Sequence, residues 1–198
     1  MLKRKPPIVI IAADVFGVTP ELGQLVQALG ITEATFVSPH PFTRTFRSEA
    51  EGYASFMAAG GVEAYAGHLG RVLAARDYTF DFALGFSAGA SALWLRLADA
   101  ALEPRLPGRA ILYYGSRIRD DAHLRPRRQT RLVFAEREAS FDPAPLAQKL
   151  RAAGNDAVLI PGSAHGFMNP RSPGYDAAIS TRELAALRAQ IHTPPPRQ

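Results

Sequence analysis

The chain has 198 residues, 47% of them apolar and 21% charged, which is the composition of one folded domain with a core and a pocket, and of neither a disordered segment nor a membrane span. Cysteine is absent, which excludes a disulfide scaffold, a thiolate metal site and a cysteine nucleophile. The formal net charge of +5 comes almost wholly from arginine, 20 residues against 3 lysines. The densest cluster (Arg117, Arg119, Arg125, Arg127, Arg128, Arg131) has no interleaved aromatic residues and no accompanying motif, so it reads as a solvated surface stretch with no nucleic-acid partner.

In chain order, Met1–Lys5 and the apolar run Ile8–Ala13 faintly resemble a secretory signal. Pro6, Pro7 and Asp14 cut that pattern short, and the run reads as a buried strand of a cytoplasmic protein. Thr19-Pro20-Glu21 supplies an N-cap, a proline at the first helical position and an early acid, and predicts a helix to about Leu29, stopped by Gly30. Ala34–Val37 is a second strand, Glu63–Arg76 a helix with Val62, Tyr65 and Leu69 on one side, Phe80–Phe86 a strand, and Ala88–Leu102 a helix holding the single tryptophan, Trp94. Ala110–Tyr114 and Leu132–Ala135 are strands, Pro143–Ala153 a helix ended by Gly154, Ala157–Ile160 the last strand and Tyr175–Ile191 the closing helix. This alternation predicts an α/β domain over residues 1–192 with about six mostly parallel strands and helices on both faces, followed by a disordered Pro-rich tail, 193–198. In such sheets chemistry gathers beyond the carboxyl ends of the strands.

Gly85-Phe86-Ser87-Ala88-Gly89 is G-x-S-x-G between an apolar strand and a helix, where a nucleophile elbow belongs. A serine hydroxyl needs a base, and the base needs an orienting carboxylate, in the chain order serine, acid, histidine. Of five histidines only His165 lies in the loop directly after the last strand, among small residues. The acid should follow the penultimate strand, where Glu136, Glu138 and Asp142 compete. Glu138 is favoured; Glu136 could point away, and Asp142 resembles the N-cap of the helix opening at Pro143. H-E-x-x-H, P-loop and G-x-G-x-x-G signatures are absent, and no metal or cofactor is expected.

Together these residues resemble the dienelactone hydrolase family of the α/β-hydrolase fold. Asp14-Val15-Phe16-Gly17 is similar to its acidic-x-Phe-Gly segment, Gly85–Gly89 to its elbow, Tyr113-Tyr114-Gly115 to its next strand end, and His165-Gly166-Phe167 with Ser172-Pro173-Gly174-Tyr175 to its histidine loop and last helix. The chain departs from the family in a serine for the usual cysteine, a glutamate for aspartate, Asn169 for an arginine and the absence of an amino-terminal hairpin, which implies a minimal version of the fold. The resemblance implies an oxyanion hole from the N–H groups of Val15 and Ala88. It implies substrate contacts from Asp14, Phe16, Phe86 and Asn169, to which Arg44 in the loop after the second strand is added as a candidate for a substrate carboxylate. The expected activity is hydrolysis of a small ester, lactone or thioester by a monomer or homodimer. The alternative is a catalytically degenerate fold that binds a ligand or partner.

Overall fold

The computed structural model describes residues 5–192; the predicted tail lies outside them. Strands β1 (Ile8–Ala12), β2 (Glu33–Val37), β3 (Phe82–Phe86), β4 (Arg109–Tyr113), β5 (Gln129–Arg137) and β6 (Asp156–Ala164) form one sheet. Its order is β2-β1-β3-β4-β5-β6, and every neighbouring pair is parallel. The helices are α1 (Pro20–Ala28), α2 (Glu49–Ala58), α3 (Gly61–Ala74), α4 (Ala88–Leu97), α5 (Pro143–Ala152) and α6 (Ala177–His192).

Strand side chains alternate between two cores, as a period of two requires. Ile10, Ala83, Leu112 and Phe134 join α2–α5 through residues such as Phe56, Leu69, Trp94 and Leu150. Their chain neighbours Ile11, Leu84, Tyr113 and Val133 join α1 and α6 through Val26 and Leu187. Because both faces are covered, the middle strands read as unbroken apolar runs, and β3 is buried along its whole length. Trp94 is fully buried and its indole N–H donates to the Asp121 carbonyl at 3.0 Å. Truncating it to alanine would cost about 3–5 kcal/mol.

Most element bounds agree with the sequence reading to within two residues. Helix α2 was not anticipated. Only Gly52 and Phe56 of it are buried, so it carries no apolar stripe. Its start was nonetheless signalled by Ser48, whose hydroxyl accepts from Glu51 N–H at 3.2 Å, the pattern of an N-cap. Helix α4 ends five residues earlier than predicted. Asp99 captures the Ala101 N–H at 3.0 Å and starts a separate 3₁₀ turn, Ala100–Arg105, that contains Pro104. Strands β5 and β6 are both longer than predicted, and that extra length builds the site.

Candidate active site

Strand β3 ends at Phe86 and α4 begins at Ala88, so Ser87 alone makes the turn. Its φ of 50° and ψ of −110° lie where side chains other than glycine are strained. The turn is held by Ser87 N–H donating to the Tyr113 carbonyl at 2.9 Å. It also needs its two glycines. A Cβ at Gly85 would sit 2.7 Å from the Ala90 Cα, and one at Gly89 would collide with the Ala12 carbonyl oxygen. Tyr114, at the end of the next strand, is likewise strained, with φ 40°, and its ring packs edge-on against His165 at 5.2 Å.

Strands β5 and β6 run past the rest of the sheet as a pair, with Ala135 opposite Ile160 and Arg137 opposite Ala164. Two extra residues therefore bulge out of β6, at Pro161-Gly162-Ser163. Gly162 supplies a φ of 78°. Glu136 accepts from the Gly162 N–H at 2.9 Å, and the buried Ser163 hydroxyl donates to Ile160 O at 2.7 Å and accepts from Glu136 N–H at 3.2 Å. The bulge realigns the pair, and His165 N–H donates to Arg137 O at 3.1 Å. Glu138 and His165 therefore leave the two strand ends side by side.

The outcome is a chain of contacts. Ser87 Oγ is 2.8 Å from His165 Nε2, and both oxygens of Glu138 lie 2.8 Å from His165 Nδ1. The other two candidate acids are occupied elsewhere: Glu136 in the bulge, and Asp142 as the N-cap of α5, accepting from Ala144 N–H at 2.9 Å. Burial alone would depress the pKa of His165. The hydrogen bond and charge of Glu138, with the charges of Glu49 and Asp14, outweigh it and hold the imidazole above its usual value. With Glu138 accepting at Nδ1, the neutral ring presents Nε2 as an acceptor to the serine hydroxyl.

On the opposite side of Ser87, the loop after β1 is a tight turn. Phe16 N–H donates to Asp14 Oδ1 at 2.9 Å and Gly17 N–H to Asp14 O at 3.0 Å, while Val15 N–H has no acceptor among the described residues. Ala88 N–H is the first of α4, where helices leave donors unmatched. The Val15 carbonyl is gripped from outside. Buried His40 donates to it from Nε2 at 2.9 Å, and α2 approaches so closely that a Cβ at Gly52 would lie 2.5 Å from it.

Asp14 is half-buried against Asn169, whose amide donates to Oδ2 at 2.6 Å. Burial pushes its carboxyl up to about 6, against the lowering effect of the Asn169 and Phe16 hydrogen bonds. Asp14, Phe86, Tyr114 and Asn169 line a cavity of about 20 Å³, room for about one water. Phe16 is buried beneath the Arg171 guanidinium, 5.4 Å above its ring. A wider cleft of about 660 Å³ opens beside His165 and is lined by Glu49, Tyr53, Arg137, Glu138 and Ser172. The structure does not bring Arg44 to this cluster: it pairs with Glu51 at 3.0 Å and stacks over Phe46. Sequence reasoning missed His40 and Glu49; the Ser48 cap was the one signal that could have placed Glu49 at a helix start. Among the described residues, no group of three or more histidine and carboxylate side chains is placed to hold a metal ion, and no helix is long and apolar enough to cross a membrane.

Comparison with known proteins bears on the fold. No protein-family model matches the chain. "Uncharacterized protein YczH" of Bacillus subtilis (strain 168) is 27% identical over 188 residues, covering 92% of this chain and 91% of its own. Among solved structures, a "Putative Dienelactone Hydrolase" from Klebsiella pneumoniae superposes with a TM-score of 0.64 at 19% identity, covering 96% of this chain and 90% of that one. Mouse alpha/beta hydrolase domain-containing protein 10 gives 0.62 at 11% identity over 96% and 91%, and the Bacillus cereus carboxylesterase 0.53 at 15% over 94% and 87%. The chain has the α/β-hydrolase fold. At these identities the likeness is one of fold, and the chemistry must be argued from the residues.

Proposed function

We propose that this protein is a serine hydrolase of small carboxylic esters, lactones or thioesters, a dienelactone-hydrolase-like enzyme with serine as nucleophile. The observation that carries the reading is the unbroken contact from Ser87 Oγ through both ring nitrogens of His165 to Glu138, each step 2.8 Å, mounted on a strained turn. Strain of this kind is retained where function needs it.

In this reading Ser87 Oγ attacks the substrate carbonyl carbon as His165 Nε2 takes its proton. Glu138 fixes the imidazole tautomer and stabilises the imidazolium. The N–H groups of Val15 and Ala88 receive the developing oxyanion, each worth about 10²–10³-fold in rate. His165 then returns the proton to the departing alcohol or thiol, leaving an acyl-serine. Water, deprotonated by the same imidazole, releases the acid and restores Ser87. The esterases among the structural neighbours support the class of substrate.

The test is labelling with a fluorophosphonate probe read by intact mass, alongside turnover of p-nitrophenyl acetate. A single adduct is expected on the wild type, with none on Ser87→Ala or His165→Ala. A folded wild type that takes no label and turns over no ester would overturn the reading and point to a ligand- or partner-binding protein.

A further inference from the structure

Resting on the hydrolase reading above, we infer that Glu49 and Tyr53 form a leaving-group subsite that favours esters of ammonium-bearing alcohols and disfavours anionic ones. The cleft beside His165 is the place for the departing alcohol, because the imidazole that protonates that oxygen forms its wall. Glu49 and Tyr53 are four residues apart on α2, a spacing that puts two side chains on one helix face, and both line the cleft. A carboxylate beside an aromatic ring is a chemistry that recognises ammonium groups.

The Glu49 carboxylate is free to act in this way. It accepts one hydrogen bond, from Ser172 Oγ at 3.0 Å, and no basic side chain pairs with it among the described residues. Its charge is felt at His165 and Asp14, so its field already reaches the reacting groups. Two of the arginines that could have favoured an anion are held elsewhere. Arg171 donates to Phe46 O at 2.7 Å, faces Glu21 at 3.6 Å and covers Phe16. Arg117, which donates to the Tyr53 hydroxyl at 3.0 Å, is paired with Asp120 at 3.3 Å. Arg137 lines the same cleft and donates to Gly162 O at 2.9 Å. It stands against two carboxylates in the cleft, Glu49 and Glu138, and the charge of Asp14 also reaches the imidazole.

The test compares kcat/KM for three acetate esters: that of choline, that of its uncharged carbon isostere, and that of glycolate. In the wild type the choline ester should exceed its isostere by about tenfold at low ionic strength, and the advantage should shrink with added salt. The glycolate ester should be the slowest. Glu49→Gln keeps an acceptor for Ser172 and removes the charge, so the choline-to-isostere ratio should fall toward one and the glycolate ester should gain relative to both. Taking ratios cancels any general effect of the variant on the chemical step; Arg137→Gln should lower the glycolate ester further. Equal kcat/KM for all three esters in the wild type, or a ratio unmoved by Glu49→Gln, would overturn the subsite while leaving the hydrolase reading intact. No turnover of any ester together with no fluorophosphonate adduct would overturn both.

Discussion

The two sides of Ser87 are built from different materials. Towards β5 and β6 stands a chain of ionisable groups, Glu138 and His165, at the wall of the wide cleft; the imidazole is 21% exposed and the carboxylate 4%. Towards β1 stands a backbone turn held by close-packed hydrogen-bonding groups and glycines. The Tyr65 hydroxyl, deep in the core, lies 2.7 Å from Val37 O and 3.2 Å from Ala13 O, and His40 and two glycines close around Val15 and Ala12. Groups that must change protonation state are left where solvent and substrate can reach them. A group that must only hold still is enclosed by dry, close-packed contacts, where misplacement is most strongly opposed.

The largest effect should come from breaking the ionisable side. Glu138→Gln keeps the shape but offers His165 an amide in place of a carboxylate, which favours the wrong tautomer and leaves the imidazolium unsupported. A loss of about 10³–10⁴ in kcat is expected by analogy with the aspartate-to-asparagine change in a serine protease. The pH profile should move with it. In the wild type, activity should fall as pH drops through a His165 pKa above 6.5, because only the neutral ring accepts the serine proton. In Glu138→Gln the largest raising influence is gone, and the midpoint should shift to lower pH. An unshifted midpoint with kcat intact would mean that Glu138 is not the partner that matters.

Breaking the neutral side should cost less. His40→Ala removes the donor to the Val15 carbonyl and opens a space beside the turn. It should lower kcat by about ten- to a hundredfold with little change in KM, since the turn acts on the oxyanion and not on the bound ester. His40→Gln can still present an N–H and should recover part of the loss. A merely structural His40 would instead lower the unfolding midpoint and leave the kinetics of the folded fraction unchanged.

Those two sides were not equally legible in the sequence. The positions of Ser87 and His165 follow from one local motif and from the order of strands, because each group sits at a strand end and the strands announce themselves as apolar runs; the same order narrows the acid to Glu136, Glu138 and Asp142, of which Glu138 is favoured. The contacts of the neutral side join distant segments: His40 to Val15, Tyr65 to Ala13, Gly52 to Val15. None has a local signature, and His40 precedes the serine in the chain, outside the order that points to a base. The bulge was hidden for a different reason. Pro161-Gly162 reads as a turn ending a strand, yet β6 resumes beyond it because Glu136 and Ser163 hold the two strands together.

Asp14 lies between the two regimes: a half-buried ionisable group on the close-packed side. Its folded-state pKa of about 6 stands above the ordinary 3.8, so the folded protein holds this proton more tightly than the unfolded chain does. The contribution to stability is complete below pH ~4 and is lost as pH rises to about 6, at roughly 3 kcal/mol for a shift of this size. Asp14→Asn cannot titrate. Urea unfolding of both proteins at pH 4 and pH 7 should show the variant gaining on the wild type by up to that amount at the higher pH. A constant difference would place Asp14 in contact with more water than its burial implies.

Arg44→Ala should have the smallest effect, and it sharpens the charge argument. Arg44 was a candidate for a substrate carboxylate on the strength of its loop, but its partner is Glu51, with both side chains well exposed. Exposed ion pairs contribute little, so the unfolding midpoint should hardly move. More tellingly, the relative turnover of the glycolate and neutral acetate esters should stay the same, while Glu49→Gln changes it. If loss of Arg44 instead slowed the anionic ester selectively, the loop after β2 would have to reach the cleft and supply it with a basic wall. The carboxylates around His165 would then orient a substrate already held by its negative charge, and would not select against one.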